Sequence, residues 1–398
     1  MKWFGRKAAA GASRPVLSRA WLNSLSGGLA SGMGEWPQSY DAQLRAAVLS
    51  NPVAQRALRL VSEGVGAVEL RAQAALPEDA ARALALVGMR SAGQGLMETL
   101  AAHLLLHGNA FAQVAADADG APVRLFALRP ERVTVEPDAL GWPVAYSYRV
   151  GERATRYAAE DGAGRTAVIH VRAFHPLDDH YGLGCLGAAA GAVAIHNSAT
   201  RWNKALLDNA ARPSGAIVYD GTDGAGLSSE QFDRLREEME AAFQGAANAG
   251  RPLLLEGGLK WQALSLSPAD MDFVSLKASA ARDIALAFGV PPMLLGLPGD
   301  NTYANYREAN KALWRQTILP LAEAILSAVG QGLAGCMPGL ALGVDLNKVA
   351  ALADDRAAMW ERVAAADFLS GEEKRAMLGI APDGAGLGIG TPGIEAEG

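Results

Sequence analysis

An α+β fold is what this sequence predicts, and three observations carry it. Helical periodicity opens the ordered chain near Ala42; short alternating segments separated by turn residues fill 106–175; long helical patterns return from Ala188 onward. Helices, then a run of antiparallel strands, then helices again differs from the strict alternation of a parallel α/β sheet. At 398 residues the chain is long enough for two or three substructures, each with its own core.

Residues 1–40 are polar, Gly/Ser-rich from Ser24 to Ser31, and read as a mobile arm. Asn51-Pro52 opens a helix whose apolar positions include Val53, Ala57, Leu60, Val61 and Val65. A second helix, about Gly93 to His107, carries Leu96, Leu100, Leu104 and Leu105 on one side, and Gly108-Asn109 ends it. Strands follow at Ala110–Val114, Arg124–Leu128, Val133–Glu136, Val144–Val150 and Ala167–Val171, with turn chemistry at Asp117–Gly120. A polar loop, Ala173–Leu186, leads into a helix over Ala188–Asn209 with small residues early and Ile195, Ala199, Trp202 and Leu206 later. Arg212-Pro213 stops it. A small α/β insert comes next: a strand at Gly215–Tyr219, a helix to Phe243 with a Ser228/Gln231 capping box, and a hairpin over Leu253–Glu256 and Lys260–Leu266.

The stretch from Ser267 to Leu333 organises the rest. Ser267 suits an N-cap, Pro268 the first helical position, and Asp270 and Asp272 the first turn. Met271, Val274, Ala278, Ala281, Ile284, Ala285 and Phe288 form one apolar face, and Gly289 with Pro291-Pro292 forbids continuation. Leu295–Asn305 is loop chemistry. A second long helix is expected over Tyr306–Val329, kinked or divided at Pro320. Leu342–Leu346 reads as a strand, Asp354–Ala365 as a helix, Glu372–Leu378 as a helix capped by Ser370, and the Gly-rich end as a disordered tail.

Composition narrows the function. Half the residues are hydrophobic and a fifth charged, with no uncharged apolar run of membrane-spanning length and no signal-peptide core. Two distant cysteines, Cys185 and Cys336, have no metal-ligand spacing and suit thiols of a reducing compartment, so synthesis in the cytosol is expected. The net charge is −6, and the one compact basic cluster is Lys2, Arg6 and Lys7. That argues against tight, sequence-specific DNA binding while leaving room for DNA that slides without sticking.

Catalytic signatures are missing. His170, His175, Asp178, Asp179 and His180 are the right ligand types for zinc, but their spacing fits no metal pattern and Pro176 interrupts them; a polar surface loop is the simpler reading. His103 and His107 lie four apart on a helix, yet Leu104 stands where a zincin helix needs glutamate. No phosphate-binding glycine loop and no nucleophile elbow occur. No catalytic residue, metal or cofactor is assigned, and a structural protein is expected. The alternatives are a metal-dependent hydrolase using His170, His175, Asp178 and His180, or a monomeric partner-binding module.

The ordered set of segments resembles the portal proteins of tailed bacteriophages over about 50–380. The pieces are Asn51-Pro-Val-Ala-Gln-Arg-Ala-Leu, His107-Gly-Asn-Ala-Phe-Ala, Leu128-Arg-Pro-Glu-Arg-Val, Val168-Ile-His, Tyr181-Gly-Leu-Gly and Asn209-Ala-Ala-Arg-Pro-Ser-Gly. Asp283-Ile-Ala-Leu-Ala-Phe-Gly-Val-Pro-Pro-Met-Leu-Leu-Gly, Tyr303-Ala-Asn-Tyr, Ile318-Leu-Pro, Asp345 and the segment from Asp367 to Gly379 continue the order. The resemblance implies a ring, usually of twelve subunits, at one capsid vertex of a phage, prophage or phage-like gene-transfer particle. Double-stranded DNA passes through it without sequence specificity. The implied partners are the major capsid protein, the large terminase subunit and a head-tail adaptor; no membrane is involved.

Mapped onto this chain, the resemblance implies a flexible arm (1–40), wing (41–187), first stem helix (188–212), clip (213–267), second stem helix (268–290), channel loop (291–305), kinked helix and wing return (306–350), short crown (351–383) and disordered tail (384–398). Gly299, Asp300, Asn301, Thr302 and Tyr303 are the candidate DNA contacts. Trp202, Leu206, Val274, Ile284 and Phe288 are the candidate stem-packing residues.

Overall fold

The computed structural model describes residues 39–91, 93–208, 215–219, 259–263, 273–297 and 302–380, with the isolated positions 230, 233, 234 and 237. Ser39 caps α1 (Tyr40–Leu44), which runs into a π turn at Arg45–Leu49. Asn51 caps α2 (Pro52–Gly66), its Oδ1 accepting from the backbone N–H groups of Val53 and Ala54 at 3.0 Å each. Ala54, Ala57, Leu58, Val61 and Val65 form its buried stripe. Two elements that the sequence pattern does not announce follow: β1 (Leu70–Gln73) and α3 (Pro77–Val87).

α4 (Leu96–His107) ends at Gly108, whose φ of +79° is the left-handed stop expected there. β2 (Asn109–Ala116) and β3 (Pro122–Leu128) form a hairpin around the Asp117–Gly120 turn, where Asp117 Oδ1 accepts from the Asp119 and Ala121 N–H groups. β4 (Val133–Pro137), β5 (Pro143–Val150) and β6 (Arg153–Ala158) make a separate antiparallel meander; β6 is one strand more than predicted. β7 (Val168–Arg172) returns to pair with β2, so the first sheet has the order β3-β2-β7.

α5 (Cys185–Asp208) starts at Cys185 rather than Ala188. β8 (Gly215–Tyr219) pairs antiparallel with β9 (Leu259–Ala263), joining the two ends of the insert. The expected capping-box helix, apart from helical positions 230, 233, 234 and 237, and the strand at Leu253–Glu256 lie outside the described residues. α6 (Phe273–Ala287) closes at Gly289, φ +65°, and a 3-10 turn at Pro292–Leu295 ends at Gly296, φ +73°.

α7 (Tyr303–Leu313) begins at Tyr303, not Tyr306. Thr302 is the reason: its Oγ1 accepts the Asn305 N–H at 3.2 Å and caps the helix. A π turn over Trp314–Ile318 then joins α8 (Leu319–Leu333). Here lies the predicted irregularity. Pro320 cannot donate to the preceding turn, and widening that turn accommodates the ring without ending the helix. β10 (Ala341–Val344) pairs with the distant β1. α9 (Ala353–Ala364) and α10 (Gly371–Leu378) close the described chain, α10 with a full Ser370/Glu373 capping box.

One core gathers α2, α4 and α8 with β2 and β7, and includes Leu100, Ile284, Phe288, Ile325, Leu326 and Leu333. A smaller one, around Phe111, Leu128, Val133, Val135, Tyr146 and Val168, joins the meander to the first sheet.

Candidate functional site

The α6–α7 turn is held from below. α6 lies along α5, and Ile284 and Phe288 are fully buried at its end. Gly289 O accepts the Thr317 hydroxyl at 2.7 Å, tying the end of α6 to the π turn. A π turn rotates the following side chains relative to an unbroken α-helix, and here it brings Thr317 onto Gly289 while Ile318 packs against Gly64. Residues 298–301 follow, and Thr302 is the next described residue. Gly299, Asp300 and Asn301 therefore lie outside the described residues, while Thr302 is a helix cap and Tyr303 the first residue of α7.

Tyr303 is 79% exposed, and the Arg307 guanidinium sits 5.7 Å from its ring centroid. Below it run Lys311 and Arg315, four residues apart. Arg307 pairs with Asp354 at 3.7 Å, Lys311 with Glu308 and Asp355 at 3.4 Å each, and Arg315 also with Asp355. This basic ladder joins α7 to α9. The Arg307/Lys311/Arg315 spacing and the Asp354-Asp355 pair were the available sequence signal, but nothing in the sequence matched the two segments to each other.

Of the candidate stem residues, Ile284 and Phe288 are in the core, Trp202 is 44% exposed and Val274 81% exposed. The Leu206 side chain lies outside the described residues.

In the histidine–carboxylate cluster, His170, His175 and Asp178 each make structural hydrogen bonds. His170 Nε2 donates to Asn109 Oδ1 at 3.1 Å, and its ring stacks on Phe111 with centroids 4.2 Å apart. Burial, reinforced by the Arg172 charge, pushes its pKa down to about 4, so it is neutral at pH 7. Asp178 Oδ1 accepts from the His180 and Tyr181 N–H groups at 2.7 and 2.9 Å, and those bonds hold its pKa below the usual range. His175 Nδ1 accepts from Leu177 N at 3.0 Å. His180 Nδ1 is buried without a hydrogen-bond partner, and among the described residues no set of three or more His, Cys, Asp or Glu side chains is placed to hold a metal ion. His103 is half-buried, its pKa lowered to about 4 chiefly by desolvation, and His107 accepts at Nδ1 from Asn109. Cys185 and Cys336 are free thiols. Among the described residues no helix is long and apolar enough to cross a membrane.

α5 and α6 flank the β8–β9 pair on an α+β body, and it is comparison with known proteins that assigns this arrangement to the portal class. The family model for phage portal proteins matches residues 52–379. A relative in Rickettsia felis, itself uncharacterized, is 41% identical over 292 residues, 73% of this chain and 75% of its own. A chain from the neck of an empty GTA particle, computed with C6 symmetry, superposes with a TM-score of 0.68 at 47% identity, covering 87% of this chain and 95% of that one. One from the neck of a native GTA particle, computed with C12 symmetry, gives 0.66 at 47% identity, covering 89% and 98%. The chain belongs to the phage portal protein family. Members of that family are structural components of particles, not enzymes.

Proposed function

We propose that this chain assembles as a twelve-membered ring at one capsid vertex, with DNA driven through its central channel by the terminase motor and later ejected the same way. The observation that carries the reading is similarity, over 89% of this chain and 98% of the other, to a chain from a particle neck computed with C12 symmetry. The arrangement supports it: α5 and α6 serve as stem, the β8–β9 insert as clip, 41–187 as wing, 351–383 as a short crown. The exposed apolar residues of α6, Val274 and Leu286, are surfaces that a neighbouring subunit would cover. The acidic balance of the chain keeps DNA from adsorbing to the wall. Gly299 to Tyr303 then face the DNA, with Tyr303 and Arg307 at the lip. The clip meets the large terminase subunit during filling and a head-tail adaptor afterwards, the wing meets the major capsid protein, and the protein is made in the bacterial cytoplasm and ends in the virion.

Mass measurement with unstained cryo-electron microscopy tests the ring. Twelve copies of 41.4 kDa give about half a megadalton with a central hole; a chain that stays monomeric in the presence of capsid protein would overturn it. Replacing 299–303 by Gly/Ser should lower the DNA content of particles. Unchanged DNA content would remove the channel role from this loop while leaving the ring intact.

A further inference from the structure

An open groove of about 640 Å³ lies between α9, α10 and the π turn. Its floor is apolar, with Met359, Val363, Leu369 and Met377, and Phe368 stands 85% exposed at its edge. Three guanidiniums, Arg315, Arg356 and Arg362, line it against one carboxylate, Asp355, which Arg315 and Lys311 already occupy. Among the described residues neither Arg356 nor Arg362 pairs with a carboxylate; Arg356 is spent on Asn347 Oδ1 and the Leu378 carbonyl oxygen. An apolar trough with surplus positive charge selects an acidic, aliphatic occupant.

We infer that the occupant is this chain's own segment 387–397. It carries Leu387, Ile389 and Ile394 with Glu395 and Glu397, and 381–398 contains no Lys or Arg. The opposite end of the chain has the wrong sign: residues 1–38 hold Lys2, Arg6, Lys7, Arg14 and Arg19 against Glu35 alone. The exit point also favours the same chain. Gly379 at φ +72° and the bond from Ile380 N to Arg375 O at 2.9 Å reverse the backbone after α10, and Arg356 anchors Leu378 beside the groove. Glu395 lies fifteen residues beyond Ile380. A Gly-rich connection of that length has an end-to-end distance of about 20 Å, close to the roughly 18 Å that the twelve residues of α9 span. The local concentration of the segment at its own groove is then on the order of millimolar.

A disulfide trap in the full chain tests this. In a C185S/C336S background, F368C with E395C should form an intrachain bridge under mild oxidation, at least tenfold faster than L140C with E395C, since Leu140 is equally exposed at the β4–β5 turn. Mixing isotope-labelled and unlabelled chains separates bridges within a chain from bridges between chains. Independently, R362E should raise hydrogen exchange of α9 about threefold, and E395K/E397K should reverse that rise. Equal trapping rates for the two pairs, bridges found only between different chains, or α9 exchange indifferent to R362E would each overturn the assignment.

Discussion

Asn109 holds Gly182 by both of its peptide groups. Its Oδ1 accepts the Gly182 N–H at 2.8 Å and its Nδ2 donates to the Gly182 carbonyl oxygen at 3.2 Å. The asparagine is fully buried, and the same Oδ1 also accepts the hydrogen bond from His170 Nε2. Asn109→Ala strands the Gly182 peptide and the His170 ring without partners, at about 3 kcal/mol of stability. Asn109→Asp keeps the acceptor but loses the donor and buries a charge, so it should cost at least as much. Urea unfolding of both variants checks this; a loss below about 1 kcal/mol in either would mean that the contact is not a clamp.

The clamp works because the backbones touch. A Cβ on Gly182 would fall on the Gly108 carbonyl oxygen and 2.6 Å from Ala173 N, and one on Gly184 would sit 2.5 Å from Leu106 O. Gly182→Ala must therefore lift the 173–184 loop off the α4–β2 turn, with a loss of about 2–4 kcal/mol. Gly187→Ala is the control: no atom beyond the helix's own backbone lies within 4 Å of its Cβ, and it is within α5, where alanine should add about 0.5–1 kcal/mol. Thermal melts of the two variants should move in opposite directions.

Acid should loosen the same region. His170 titrates near 6.5 when unfolded and about 4 when folded, so between those values the unfolded chain binds the extra proton. Stability from this group is fully present above pH 6.5, falls as pH drops, and is gone below about 4. The shift amounts to on the order of 3 kcal/mol, and His103, lowered to about 4 by the same cause, acts in the same window. Urea midpoints measured from pH 7 to pH 4.5 should decline, with a shallower slope in His170→Gln. Parallel slopes would assign the acid sensitivity to other groups.

Much of this fold was legible because its signals are local. Asn51-Pro52, Gly108-Asn109, Gly289 with the double proline, and Ser370 with Glu373 each bound an element by their own backbone chemistry, and each does so in the structure. β1 and α3 were not legible for the converse reason. β1 is four residues long and finds its partner, β10, only across the fold, while α3 starts after Leu76 with no capping side chain. Tyr303 sits among loop formers in the sequence, and it is the Thr302 side chain, accepting the Asn305 N–H, that draws it into α7. The pairing of His170 with Asn109, sixty-one residues apart, joins two strands whose register no local pattern specifies.

The α7–α9 clasp should be measurable as a coupled unit. Lys311 is 14% exposed along its side chain and Asp355 35%, so this pair is shielded from solvent better than a free surface bridge, and Asp355 also receives Arg315. Exposed pairs contribute about 0–1 kcal/mol; a partly buried carboxylate serving two cations should give more, and leaving the mostly buried Lys311 with only the exposed Glu308 adds a desolvation cost. Asp355→Asn is therefore expected to lose about 1–2 kcal/mol, and Lys311→Met, which removes the poorly solvated charge itself, less. In the double variant the losses should fall short of additivity by about 1 kcal/mol, and raising the salt should shrink that coupling. Additive losses would mean that the ladder of charges is a surface feature that does not couple α9 to α7.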